Sequence, residues 1–159
     1  MNEVIHAIQD EYDDSFAWCY GCGRLNETGL KLRTGWKDDQ TITIYHPRKE
    51  HTAIPGFVYG GLVASLVDCH GTGSAALELH RINGHEPGDG VPAPRFVTAR
   101  LHVDYLKPTP EGVPLKALGT VEKVHPKKFR VKTEVYANDE LVVTGEVIAS
   151  VMPASFLND

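Results

Sequence analysis

Two elements of this chain have the makings of a reactive centre: the double glycine Gly60-Gly61 and the carboxylate Asp68, eight residues after Gly60. They lie in Val58-Tyr59-Gly60-Gly61-Leu62-Val63-Ala64-Ser65-Leu66-Val67-Asp68, a stretch of mostly apolar or small residues. Glycines at a helix entrance let a ligand approach free backbone N–H groups, where the helix dipole favours negative charge. A carboxylate among apolar residues is costly unless it has partners or a task. An oxyanion-binding amide and a base or nucleophile are the two parts that acyl transfer requires.

Other chemistry-bearing residues read more plainly. Three cysteines, an odd number, do not make a disulfide framework. Cys19 and Cys22 form one C-x-x-C within Trp18-Cys19-Tyr20-Gly21-Cys22-Gly23. A structural zinc site takes four ligands and no second pair is spaced to complete it, although Cys69 and several histidines are available for recruitment. The pair reads as a structural turn, and neither metal nor cofactor is expected. Lys123, His125, Lys127, Lys128 and Arg130 form a basic cluster, read as a solvated turn or as a landing place for a phosphorylated ligand. His46, His51 and His70 are scattered and read as surface or packing residues. A Ser-His-Asp triad has no local support, because there is no G-x-S-x-G elbow.

The elements that must carry Gly60 and Asp68 follow from periodicity. Gly60 to about His80 reads as one long helix without proline, with Leu62, Leu66, Cys69, Gly73 and Leu77 at helical spacing. The neighbours of Asp68 on its own face are Gly61, Ala64, Ser65, Gly71, Thr72 and Ala75, all small, which leaves space for a backbone or a ligand. Leu30 to Trp36 alternates apolar and polar residues and reads as a strand. Thr41 to Tyr45 is a second, after a turn at Asp38-Asp39. The segment from Arg81 to Pro94 reads as a flap or a loop. Four strand-like segments follow: Phe96 to Leu106, Leu115 to Val124, Phe129 to Tyr136 and Leu141 to Val151, with Asn138-Asp139 marking a hairpin. In the first of them Val97, Ala99, Leu101, Val103 and Tyr105 form one apolar face, which turns Thr98 away from it unless a bulge intervenes. The sum is an α+β domain, an antiparallel sheet of five to six strands wrapped on one long central helix. It spans residues 29–151, with an irregular, partly helical extension at 1–28 and a tail at 152–159.

Composition narrows the function classes. A chain of 159 residues fits one domain with a real core. The net charge of −5 argues against bulk attraction to nucleic acid. No apolar run approaches the roughly 20 residues that span a bilayer, so no membrane partner is expected. The start, Met1-Asn2-Glu3-Val4-Ile5-His6, lacks the basic and apolar regions of a secretory signal, which makes a cytoplasmic location the expectation.

These residues resemble the hotdog-fold acyl-CoA thioesterases, in the branch related to the phenylacetic-acid-pathway thioesterases. The pattern of that family is His-Gly-Gly, a short apolar run, then Asp or Glu in the central helix; Tyr59-Gly60-Gly61 and Asp68 stand in that register. An upstream Cys-Phe-Gly-Cys-Gly…Asn…Gly-Leu-x-Leu element is matched by Cys19-Tyr20-Gly21-Cys22-Gly23, Asn26 and Gly29-Leu30-Lys31-Leu32. Val97 to Pro108 is similar to the post-helix strand of the family and its closing proline. Tyr59 replaces the usual histidine, which leaves the backbone role of the glycine intact and passes any side-chain role to a phenol.

The resemblance implies hydrolysis of an acyl-CoA thioester. Gly60, at the Tyr59-Gly60-Gly61 entrance, would supply the oxyanion N–H, and Asp68 would act as general base or nucleophile. Thr98 would position the water or the carboxyl, as a hydroxyl at the matching strand position does in relatives. Val58, Ser65 and Thr72 are expected to line the substrate's path, with nucleotide phosphates near Lys123, Lys127, Lys128 or Arg130. At about 1.5 Å rise per residue, Gly60 and Asp68 lie roughly 12 Å apart on one helix, too far to touch one carbonyl group. If both act, they come from two antiparallel helices, which implies a homodimer or a dimer of dimers with sites at the boundary. The alternative is a non-catalytic acyl-CoA-binding protein of the same fold.

Overall fold

The computed structural model describes Val4 and residues 6–157. The reading of the N-terminus as lacking a signal therefore rests in part on Met1, Asn2, Glu3 and Ile5, outside the described residues, as are Asn158 and Asp159 of the tail. One helix, α1 (Gly60–Ile82), and six strands make the frame: β1 (Thr34–Lys37), β2 (Gln40–Tyr45), β3 (Phe96–Tyr105), β4 (Leu115–His125), β5 (Lys128–Ala137) and β6 (Glu140–Val151). The strands form one antiparallel sheet in the order β1-β2-β4-β5-β6-β3, so β1 and β3 are its edges.

The helix is apolar or small around most of its circumference, which suits an element enclosed by a curved sheet. Leu62, Val63, Leu66, Val67, Ala75, Ala76 and Leu77 are all buried. Close approach depends on glycines: a Cβ at Gly71 would meet Val147 at 2.5 Å, and one at Gly145 would meet Val67 at 2.4 Å. The small face around Asp68 is thus partly spent on packing the helix against β6. Phe96 and Phe129 close the core edge to face, with ring centroids 5.3 Å apart. No helix among the described residues is long and apolar enough to cross a membrane.

The hairpin at Asn138-Asp139 is present, with φ of 52° and 62°, the left-handed pair that a two-residue primed turn demands. The expected strand from Leu30 is corrected: β1 begins only at Thr34. Lys31 takes a left-handed φ of 54°, which breaks the extended run. Leu30 N–H donates to Tyr20 O and Leu32 N–H to Gly21 O, so this backbone pairs with the cysteine turn instead. Leu30 and Leu32 are buried all the same, which is why their alternation resembles a strand.

The N-terminal segment forms two 3-10 turns, Ile8–Glu11 and Asp14–Phe16, and buries Ala7, Ile8, Tyr12 and Ala17 in the core. The segment from Arg81 to Pro94 is tied down rather than loose. Asp89 accepts from Glu86 N–H and Val91 N–H, while Glu11 receives Gly88 N–H on its carboxylate and Ala93 N–H on its carbonyl.

Candidate active site

Directly paired residues on neighbouring strands share a face, so the register of β3 on β6 shows which side chains reach the helix. Phe96 pairs with Val151 and Thr98 with Ala149; the register then slips by one, and Leu101 pairs with Val147, Val103 with Gly145 and Tyr105 with Val143. Ala149, Val147 and Val143 are buried against α1. Phe96, Thr98, Leu101, Val103 and Tyr105 therefore look inward, with the extra residue of a bulge at Ala99-Arg100. The expected face was right from Leu101 onward and wrong for Val97 and Ala99. That face is also more open than an apolar stripe predicts: Leu101 and Tyr105 are exposed, because β3 is a sheet edge.

The bulge has a chemical consequence. Thr98 Oγ1 donates to Asp68 Oδ1 at 2.5 Å. Asp68 is half-buried, and Thr98, on the edge strand, is exposed. Burial pushes the Asp68 carboxyl above the usual carboxylate range; the Thr98 hydroxyl opposes this, as does the more distant Arg95 guanidinium. Ser65 and Thr72 spend their hydroxyls within the helix, Ser65 on Gly61 O at 2.9 Å and Thr72 on Cys69 O at 3.3 Å.

At the helix entrance Tyr59 is the residue before the first turn, with no side-chain cap. The first bonds of the helix run from Leu62 and Val63 N–H to Tyr59 O, so the Gly60 and Gly61 amides precede the intrahelical ladder. The Tyr59 ring folds back over Gly61, where an added Cβ would lie 2.2 Å from it. Tyr105 Oη donates to Gly60 O at 2.7 Å. A cleft of about 480 Å³ opens here, its apolar wall made by Ile54, Phe57, Val58, Val63 and Leu106. Val58 itself is pinned, its N–H donating to Thr109 O at 2.8 Å.

The basic cluster lies elsewhere. Lys128 pairs with Ser150, which also pairs with Val97, so the β4–β5 turn stands level with the Thr98 end of β3 rather than the Gly60 end. Arg130 is engaged by Glu122 at 3.2 Å and Glu146 at 3.5 Å, whereas Lys123, Lys127 and Lys128 are exposed in and beside the turn. His70 is fully buried between Thr43 and Thr41, away from Asp68.

One contributor was not read from the sequence, and a second was read only as a residue available for recruitment. Tyr105 ties β3 to Gly60, and its place at the end of an alternating strand gave no signal of that contact. Cys69 closes on the turn of Cys19 and Cys22, the three sulfurs lying within 4.8 Å of one another. Its adjacency to Asp68 was the available hint.

A single long helix embraced by a six-stranded antiparallel sheet, with a carboxylate at mid-helix, defines the hotdog class. The chain belongs to the thioesterase superfamily, whose sequence profile matches residues 55–144. A solved thioesterase superfamily protein from Shewanella loihica PV-4 is 41% identical, covering 88% of this chain and 98% of that one, with a TM-score of 0.63. A variant of phenylacetic acid degradation protein PaaI from Thermus thermophilus shares the fold at 17% identity, with a TM-score of 0.58 over 77% of this chain and 95% of that one. Acyl-coenzyme A thioesterase THEM4 of Xenopus laevis is 28% identical over 108 residues, 68% of this chain and 42% of that protein. The match thus spans less than half the length of that relative.

Proposed function

We propose that this chain hydrolyses an acyl-CoA thioester at a site shared by two copies. The observation that carries the proposal is the Thr98–Asp68 hydrogen bond, which holds a half-buried carboxylate at the middle of a helix whose entrance opens on an apolar cleft. The names of the THEM4 relatives supply the substrate class.

The dimer follows from β3. A ten-residue edge strand offers an unpaired ladder and exposed Leu101 and Tyr105, a surface that pairing would cover. A two-fold axis beside the middle of that strand, between it and its copy, sets the Thr98 end of one copy beside the Tyr105 end of the other. Asp68 travels with Thr98, and Gly60 with Tyr105. The carboxylate of one protomer and the helix entrance of its partner then face one thioester, which resolves the roughly 12 Å separation within a single helix.

In the reaction Asp68 takes a proton from water, and the hydroxide attacks the thioester carbonyl carbon. The oxyanion develops against the Gly60 N–H and the positive helix end, a donor worth about 3 kcal/mol. Collapse expels CoA as a thiolate, which recovers the proton. In the nucleophilic variant Asp68 attacks directly and water cleaves the resulting anhydride. Lys123, Lys127 and Lys128 stand on the Asp68 side of the boundary, suited to the nucleotide phosphates.

The test is a panel of acyl-CoAs with released thiol as the readout, run beside Asp68→Asn. Turnover that collapses in the variant supports the reading; a variant at full rate removes Asp68 from the mechanism. In a single turnover in isotopically labelled water, label entering Asp68 marks direct attack followed by cleavage at the Asp68 carbonyl. A second reading, a non-catalytic acyl-CoA binder, is favoured by the Tyr59 ring over Gly61; it predicts binding across the panel without thiol release.

A further inference from the structure

The thiol cluster of Cys19, Cys22 and Cys69 has no part in the chemistry above. It joins two segments distant in sequence: the turn ahead of Leu30 and the helix position after Asp68. We propose that these three cysteines bind one thiophilic divalent cation, zinc in the first instance, with the fourth position left to solvent.

The geometry meets the demands of such a site. Two sulfurs bound tetrahedrally to one zinc ion at about 2.3 Å lie roughly 3.8 Å apart. The three Sγ atoms lie within 4.8 Å of one another, so a contraction of up to about 1 Å brings them to ligation. Cys19 and Cys22 have the C-x-x-C spacing of zinc ligands. Glycine makes the convergence possible: a Cβ on Gly21 would meet Cys69 Sγ at 2.3 Å, and one on Gly23 would meet Cys19 N at 2.5 Å. Gly23 N–H donates to Cys19 O at 2.7 Å and Leu25 N–H to Ala17 O at 3.0 Å, which fixes the turn.

Charge and number point the same way. Three thiolates and a divalent cation carry a net charge of −1, and the Arg95 guanidinium, close enough to interact with all three sulfurs, balances it. A redox pair needs two thiols and would leave the third unused, whereas a soft cation uses all three. Cys22 and Cys69 are buried and Cys19 half-exposed, so the open position faces the solvent side of the cluster. The ion would staple the N-terminal segment to the turn of α1 that carries Asp68, whether or not the chain hydrolyses thioesters.

The experiment uses the full chain expressed with added zinc and desalted under reducing conditions. Elemental analysis is expected to find about one zinc per chain, falling below about a fifth of that in Cys69→Ser and in Cys19→Ser. Cobalt loaded in place of zinc is expected to show thiolate-to-metal charge transfer with tetrahedral d–d bands. Circular dichroism establishes that each variant is folded. Should Cys69→Ser fail to fold, thiol titration of the unaltered protein decides: zinc protects three thiols and a chelator frees all three. Folded, zinc-supplied protein without metal, or metal retained at full stoichiometry in Cys69→Ser, would each overturn the proposal.

Discussion

Asp68 and His70 stand two residues apart on one helix and meet opposite environments. His70 faces β1 and β2, where it is fully buried and bonded through both ring nitrogens, to Thr43 at 2.8 Å and Thr41 at 3.3 Å. The chain of polar groups continues from Thr43 to Thr34 and from Thr34 to Gln9, and from Thr41 to Ser74, so each member has a partner. Burial holds its imidazole down to about 3, neutral over the ordinary pH range. Asp68 faces β3, half-buried, its carboxylate accepting one side-chain hydrogen bond. A closed polar network specifies a core. A carboxylate with unspent acceptor capacity at an open edge is available to a ligand.

The comparison breaks most sharply at Asp68. Asp68→Asn keeps the shape and the Thr98 contact but removes the carboxylate proposed as base or nucleophile, so thioester turnover is expected to fall about 10³-fold. The unfolding midpoint is expected to move little, by less than about 1 kcal/mol, because the site is only half-buried. His70→Ala should invert that result. It removes one buried partner from each of the Thr41 and Thr43 hydroxyls, which keep Ser74 and Thr34, and opens a cavity, at a cost of about 3 kcal/mol in denaturant titration. Turnover per folded molecule should stay within a few-fold of the parent.

His70 also gives the comparison a pH axis. Its folded pKa is depressed, so the unfolded chain takes up the proton more readily. The stability that neutral His70 contributes is complete above about 6.5, the ordinary histidine value, and is lost as pH falls from there toward 3. Urea midpoints measured across that range should drop with acid in the parent, and the slope should flatten in His70→Ala.

The His70 side and the Asp68 side were not equally legible in the sequence. The long helix, the four strands after it and the Asn138-Asp139 hairpin follow from periodicity and turn chemistry, which act locally. What failed was non-local. A bulge moves Thr98 onto the helix face, and no residue in Val97-Thr98-Ala99-Arg100 announces it; the partner strand sets it. Leu30 and Leu32 alternate like a strand because they are buried, although their backbone bonds go to Tyr20 and Gly21. Cys69 reads as one of several residues available to join Cys19 and Cys22, and only the fold brings it beside them. The elements were readable, and the contacts between distant elements were not.

Thr98 sharpens the comparison at intermediate size. Thr98→Val removes the hydroxyl and keeps the β-branched shape, leaving the carboxylate to find its own orientation. Turnover is expected to fall about 10-fold, the scale of one positioning hydrogen bond, with KM nearly unchanged. Thr98→Ser restores the hydroxyl and should recover most of the loss. Equal losses in both variants would show that the methyl group packs the site and that the hydrogen bond does not position the carboxylate.

The smallest effect separates the two entrance glycines. A Cβ on Gly60 would rest 3.5 Å from the Tyr105 ring, an ordinary contact, whereas one on Gly61 would strike the Tyr59 ring at 2.2 Å. Neither glycine has a left-handed φ, so alanine fits the backbone at both positions. Gly60→Ala keeps the N–H proposed to receive the oxyanion; turnover should stay within about 3-fold, and stability should rise by about 0.5 kcal/mol from reduced backbone freedom. Gly61→Ala must drive the exposed Tyr59 ring off the helix entrance, and Tyr59→Ala combined with it relieves that conflict. If Gly61→Ala raises KM and the double variant restores it, the ring governs access to the entrance. If Gly60→Ala abolishes turnover while the fold holds, the side-chain space at Gly60 matters and its amide alone does not explain the double glycine.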